Sequence, residues 1–150
     1  MKVVATNRKA RHEYHILDSY EAGLVLTGSE IKSVRAGRVS LGEAYALVRN
    51  NELWLINCHI APYDQASHLN HEPRRDRKLL VHRRQLERLA QDTREPGHTI
   101  VPLKMYLRGK WAKVEIALVR GKRQYDKRQA IAKQEAKRRI SRTLKEQSRE

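Results

Sequence analysis

The sequence predicts a mainly β fold: a small antiparallel barrel of about six strands, two or three flanking helices and a basic C-terminal tail. Three observations lead there. Short β-rich runs recur through residues 1–119 and are joined mostly by turn residues rather than long crossovers. One run, Trp111 to Val119, alternates Ala112, Val114, Ile116 and Leu118 against Lys113 and Glu115, as a strand with one face in a core and one in water does. From Arg120 onward twelve Lys and Arg stand against four Asp and Glu, a local net charge of +8. Residues 1–119 are therefore read as the barrel and 120–150 as the tail.

Asn7 to Arg11, NRKAR, is a short basic stretch. His15 to Leu17 reads as a strand, Asp18-Ser19 as a turn, and Tyr20 to Leu26 as a second strand in which Gly23 permits a bulge or the close approach of a partner. Thr27-Gly28-Ser29-Glu30 spells a capping box, and Ile31 and Val34 supply an apolar face, so a short helix is predicted from Ser29 to Ala36 with Gly37 as its stop. Ala44 to Arg49 and Glu52 to Asn57 form a hairpin around Asn50-Asn51, two residues that tolerate positive φ. Cys58 to Lys78 has no periodicity, and a loop that long in a small domain is usually functional or disordered. A second helix is expected from His82 to Thr93, with Leu86, Leu89 and Ala90 inward. Thr99 to Leu107 and Trp111 to Val119 are the longest strands, joined by Arg108-Gly109-Lys110. Helices can plug the ends of such a barrel, and oligonucleotide-binding barrels use this architecture.

In the tail, Ala132, Ala136, Ile140 and Leu144 recur every fourth residue, so helix is allowed. That stripe is too thin to hold a helix by packing, which predicts a segment disordered when free and helical along a polyanion. The chain of 150 residues carries a formal net charge of +15, and its pI near 10.4 points to nucleic acid first and an anionic membrane surface second. The membrane reading falls behind because the tail has no Trp or Phe to anchor it. A single cysteine, Cys58, excludes an internal disulfide framework. With no signal-like or membrane-spanning run, a soluble cytoplasmic protein is expected.

Catalytic spellings are missing: there is no GxxxxGK[ST], no GxSxG and no HExxH. Cys58 and His59 would point to opposite faces of a strand, so they do not make a nucleophile and base. His68 and His71 lack a matched cysteine or carboxylate cluster, and a metal-dependent nuclease built on them is the weaker alternative. No cofactor is expected. Nucleic-acid contact is better supported, with Arg8, Lys9, Arg11, Arg74, Arg75, Arg77, Lys78 and Lys113 as phosphate partners. His12, Tyr63 and Tyr125 are rings among cations, suited to stacking on unpaired bases, although Tyr63 after Pro62 is equally suited to packing on the barrel. Glu21 opposes phosphate binding. It must pair with a cation or accept from base or ribose donors, and from chemistry alone it reads as an ordinary turn carboxylate.

Seven segments carry a further signal through their order and spacing: NRKARHEY at 7–14, YEAG at 20–23, GSEIKSVRAG at 28–37, IAPY at 60–63, RKLL at 77–80, KWAKVEIAL at 110–118 and GKRQYDKR at 121–128. Together they resemble the SsrA-binding, or small protein B, family, whose members accompany transfer-messenger RNA in the rescue of stalled ribosomes. The resemblance covers nearly the whole chain. It implies an oligonucleotide-binding-type barrel on the tRNA-like domain of that RNA, one copy per RNA, and a basic tail that becomes helical in the ribosomal decoding centre and vacant messenger channel. By motif, Glu21, Leu80 and Lys113 fall on RNA-binding positions, to which the residue-level reading adds Arg11, Gly23, Arg77 and Lys78. His12, Tyr125, Asp126, Lys127 and Arg128 fall on positions that work at the decoding site. The resemblance implies no catalytic residue.

Overall fold

The computed structural model describes residues 1–63 and 70–122. The elements in chain order are β1 (Lys2–Thr6), α1 (Arg8–Glu13), β2 (Tyr14–Leu24), α2 (Gly28–Arg35), β3 (Val39–Ser40), β4 (Tyr45–Arg49), β5 (Glu52–Ile56), β6 (His59–Ile60), β7 (Arg77–Leu80), α3 (Arg83–Asp92), β8 (His98–Arg108) and β9 (Trp111–Gly121). Six strands form a ring, as the barrel expectation has it, in the order β8-β4-β5-β7-β2-β9 and back to β8, but β7 is not among the expected strands. Closure is approximate, since β4 and β8 share a single registered pair, Ala46 with Ile100. Every pairing whose register is set among the described residues is antiparallel.

The two hairpins follow from local chemistry. Asn50 (φ 53°) and Asn51 (φ 58°) occupy the left-handed region between β4 and β5, as the sequence predicts for a two-residue turn. Gly109 (φ 60°) opens the turn between Arg108 and Trp111, where a side chain would be strained. The barrel interior is filled by alternate residues of the ring strands, among them Leu53, Leu55, Leu79, Ile100, Met105, Val114 and Ile116. Val34 of α2 and Leu89 of α3 are fully buried in the same core.

Four features depart from the expectations. His15 to Leu17 and Tyr20 to Leu26 are one strand, β2, rather than two. The Asp18 carboxylate accepts from the Ser19 amide and the Tyr20 hydroxyl, each at 2.9 Å, and satisfies turn chemistry while pairing with β9 keeps the chain extended. The basic stretch after Asn7 is a helix, and Lys2–Thr6 is a strand on the edge of β8. The long loop holds β6, which pairs with β3 in a separate two-stranded sheet, and its end at Arg77 and Lys78 belongs to β7, an unexpected ring strand between β5 and β2. Finally, β9 does not present its second face wholly to water. Ala117 and Val119 lie with Val101 and Leu103 in a satellite core under Ala10 of α1.

Asn7 fastens these additions. It is 5% exposed, and its Oδ1 accepts from the Ala10 amide at 3.2 Å as the cap of α1. Its Nδ2 donates to the carbonyls of Pro102 (2.9 Å) and Leu41 (3.3 Å), and its backbone amide donates to Leu103 at 2.7 Å. Pro102, which has no amide to donate, and Leu103 sit where the β8–β9 register slips, and both carbonyls accept from Asn7 there. Asn7→Ala removes the cap and strands buried carbonyls. Its expected cost is about 2–4 kcal/mol, read from the denaturant midpoint; a change within 0.5 kcal/mol or so would mean the satellite core holds without it.

Candidate nucleic-acid interface

A groove of about 580 Å³ opens where β2 leaves the barrel, between α2, the end of β7 and the start of β9. Its apolar surface comes from Leu80 and Trp111, 53% and 72% exposed, with Val25, 45% exposed, beside them. Exposed apolar side chains grouped in a concavity mark a contact site rather than scattered surface. Lys110 and Lys113 stand at the same groove, and neither is ion-paired among the described residues. Gly23, paired with Leu80, lines the groove, and a Cβ there would stand 3.4 Å from the Leu80 Cβ.

Two residues before Gly23, Glu21 is a mid-strand carboxylate rather than a turn residue. The hydroxyl of Tyr106 donates to one of its oxygens, and Arg108 lies 3.6 Å from the other. The Tyr106 hydrogen bond, with Arg108 and Lys113 nearby, holds the Glu21 carboxyl below the usual carboxylate range against a smaller opposing effect of desolvation. Burial, helped by Glu21, pushes the Tyr106 hydroxyl up to about 12. Tyr106 is thus a fixed donor at neutral pH, and Glu21 a fixed anionic acceptor beside a cation. An exposed, oriented acceptor next to Lys113 suits base or ribose donors flanked by phosphate.

The loop cations behave differently, and Arg77 corrects the expectation. It is fully buried, bonded through Nε to Glu30, through Nη1 to the Cys58 carbonyl at 2.6 Å and through Nη2 to the Pro73 carbonyl at 3.0 Å. The reason is strand parity. Arg77 and Leu79 point inward, so Lys78 and Leu80 point outward. Arg77 therefore holds the loop from inside and does not reach a partner. Arg75 also bonds to Glu30, at 2.6 Å, and Arg74 donates to the Asn57 side chain at 2.6 Å. The Thr27 amide donates to Glu30 at 2.9 Å, so the carboxylate that completes the α2 capping box is also the counter-ion of the loop. Lys78 lies near Glu52 at 3.6 Å in a half-exposed pair, which exchanges easily for a phosphate.

Arg11 and His12 are exposed on α1 and do not line the groove. Tyr63 meets the Lys32 ammonium at 5.3 Å from its ring centroid. Both ring nitrogens of His71 are engaged within the fold: Nδ1 lies 2.9 Å from the Ser29 hydroxyl and Nε2 lies 2.9 Å from the Ile60 carbonyl. Among the described residues no group of three or more His, Cys, Asp or Glu could hold a metal ion. Cys58 is buried, and burial pushes its thiol up to about 11. No helix among the described residues is long and apolar enough to cross a membrane. His68, Tyr125, Asp126, Lys127 and Arg128 lie outside the described residues, as does the expected tail helix. The sequence reading passed over Trp111, Val25 and Tyr106; extending the β9 alternation back two residues would have placed Trp111 outward beside Lys113.

A basic barrel with an apolar, lysine-flanked groove beside a fixed carboxylate is a nucleic-acid-binding β-barrel by class. The particular family is set by comparison. A family profile described as "SmpB protein" matches residues 4–146. An SsrA-binding protein of Roseiflexus castenholzii is 58% identical over 149 residues, covering 99% of this chain and 94% of the relative. One from Acidothermus cellulolyticus is 59% identical over 143 residues, covering 95% and 90%. A solved chain from "tmRNA-SmpB: a journey to the center of the bacterial ribosome" superimposes with a TM-score of 0.68 at 47% identity, covering 81% of this chain and 85% of that one. The chain belongs to the SmpB protein family.

Proposed function

We propose that this protein is an RNA-binding adaptor that binds the tRNA-like domain of transfer-messenger RNA, delivers it to stalled ribosomes and supports trans-translation. The observation that carries the reading is the groove at Gly23, Leu80, Trp111 and Lys113 with Glu21 beside it, in a chain of net charge +15 whose relatives are SsrA-binding proteins. Stacking surface, phosphate partners and a base- or ribose-directed acceptor occur together there. These are the three contact types that a folded RNA with splayed bases offers. Lys78 joins this surface at its rim, since it shares the outward face of β7 with Leu80.

In this reading Arg11 on α1 is a further contact to the RNA outside the groove, His12 on the same helix faces the ribosome, and Tyr125, Asp126, Lys127 and Arg128 act at the decoding centre. The tail beyond them tests whether messenger fills the channel. A cationic helix-former can occupy an RNA-walled passage only when no messenger takes the same volume. The protein works in the cytoplasm, without an enzymatic step of its own.

Recovering the RNA that travels with the full-length protein from its own cells tests this. One abundant structured species, recognised as transfer-messenger RNA, is expected, and a chain truncated after Lys122 should still retain it while failing to support tagging. A heterogeneous RNA population, or RNA retention lost with the tail, would overturn the division of roles.

A further inference from the structure

We propose that the RNA path does not end at the groove but continues along the outer face of α2, where Lys32, Arg35 and Lys2 form a second phosphate track. This rests on the groove being an RNA site. Gly28 and Ile31, in the first turns of α2, already line the groove beside Trp111 and Lys113. Gly28, Lys32 and Arg35 recur at i, i+4 and i+7 and are all exposed, while Glu30, Ser33 and Val34 face inward. The outer face of one helix therefore leads from the groove to two cations. From Gly28 to Arg35 it runs about 10 Å, the rise of roughly three nucleotide steps on one strand.

Lys2 converges on the same place from a different element. Its Nζ donates to the Arg35 carbonyl at 3.1 Å, so β1 delivers a third positive charge to the far end of the track. These three cations are gathered at one end of the helix face, and none of them has an acidic partner among the described residues. Lys9, Arg49, Arg75, Arg77, Lys78, Lys104 and Arg108 are each within 4.0 Å of a carboxylate, whereas among the described residues Lys2, Lys32 and Arg35 are not. Lys32 rests instead against the Tyr63 ring, which orients the ammonium without neutralising it. Like charges gathered without counter-ions suit a polyanion. The rival explanation is purely helical: cations at the negative end of the α2 dipole stabilise the helix.

Affinity for full-length transfer-messenger RNA, measured across salt, decides between them. Lys32→Gln with Arg35→Gln removes two phosphate contacts from the track. Arg84→Gln with Arg94→Gln removes two exposed charges from the α3 region and serves as the control. The track variant should lower the slope of log affinity against log salt by about 1.4–1.8, so that its deficit shrinks about ten-fold between 50 and 200 mM salt. The control should leave that slope within about 0.5 of the parent. Equal loss in both variants would mean only overall charge matters and would overturn the proposal, as would a lowered Tm of the track variant with an unchanged slope. Lys113→Gln, run alongside, separates the two readings. If it weakens binding and the track variant does not, the track alone is refuted; if neither does, the groove falls too.

Discussion

Glu30→Ala is expected to lower the unfolding free energy by about 3–5 kcal/mol, because it leaves Arg77 charged in the barrel interior with its carboxylate removed. Glu30 and Arg77 are both fully buried, and Glu30 also receives Arg75 and the Thr27 amide. The carboxylate joins the first turn of α2 to the loop before β7, so its loss loosens both. The same pair sets the acid limit of the fold. Burial pushes the Glu30 carboxyl up, but hydrogen bonds from Arg75, the Thr27 amide and Arg77 outweigh it and hold the group at about 2, against an ordinary value of 4.5. A depressed folded value means the stabilisation is complete above about pH 4.5 and is lost as pH falls toward 2, amounting to about 3 kcal/mol in all. Denaturant midpoints from pH 6 down to 2.5 should therefore fall steeply for the parent and less steeply for Glu30→Ala. Parallel curves would show that other carboxylates govern acid unfolding.

Lys113→Glu should weaken binding to transfer-messenger RNA by about 30-fold at low salt, equivalent to about 2 kcal/mol, and by much less at high salt. The substitution exchanges a phosphate partner for a repulsive charge and places it near Glu21, whose depressed carboxyl depends in part on Lys113. Lys113 lies on the outward face of β9, so the melting temperature should stay close to the parent's. Trp111→Ala at the same groove should cost about 1–3 kcal/mol of affinity through lost stacking, with little dependence on salt. The contrast in salt dependence identifies what each residue touches. A uniform loss for Lys113→Glu at all salt concentrations, together with a lower melting temperature, would point to a folding defect and remove Lys113 from the interface.

Several parts of this site were legible before any coordinates. Lys113 is outward because a period of two leaves no alternative once Val114 and Ile116 are inside. Glu30 reads as a capping residue from its spacing after Thr27, and it is one. The same parity argument, applied to RKLL, would have turned Arg77 inward and Lys78 outward. It was overridden by the expectation that a basic run lies in solvent, and a fully buried arginine defeats that expectation only because Glu30, 47 residues away in sequence, meets it there. Asn7 shows the same limit: its capping role is local, but its bonds to Leu41 and Pro102 span 34 and 95 residues.

By itself the sequence determined the ring strands of the barrel other than β7, its hairpin turns, its helices at α2 and α3, its excess of positive charge and, through the order of its motifs, its family. These are properties of neighbours along the chain, where periodicity, turn chemistry and composition act within a few residues. The tertiary structure alone decided which cations are spent inside the fold and which remain for a partner, that Glu21 is oriented by Tyr106 and Arg108, and that Trp111, Leu80 and Val25 share one concavity. Charge pairing and concave shape depend on distances through space, and only closure of β2 against β7 and β9 brings those residues together.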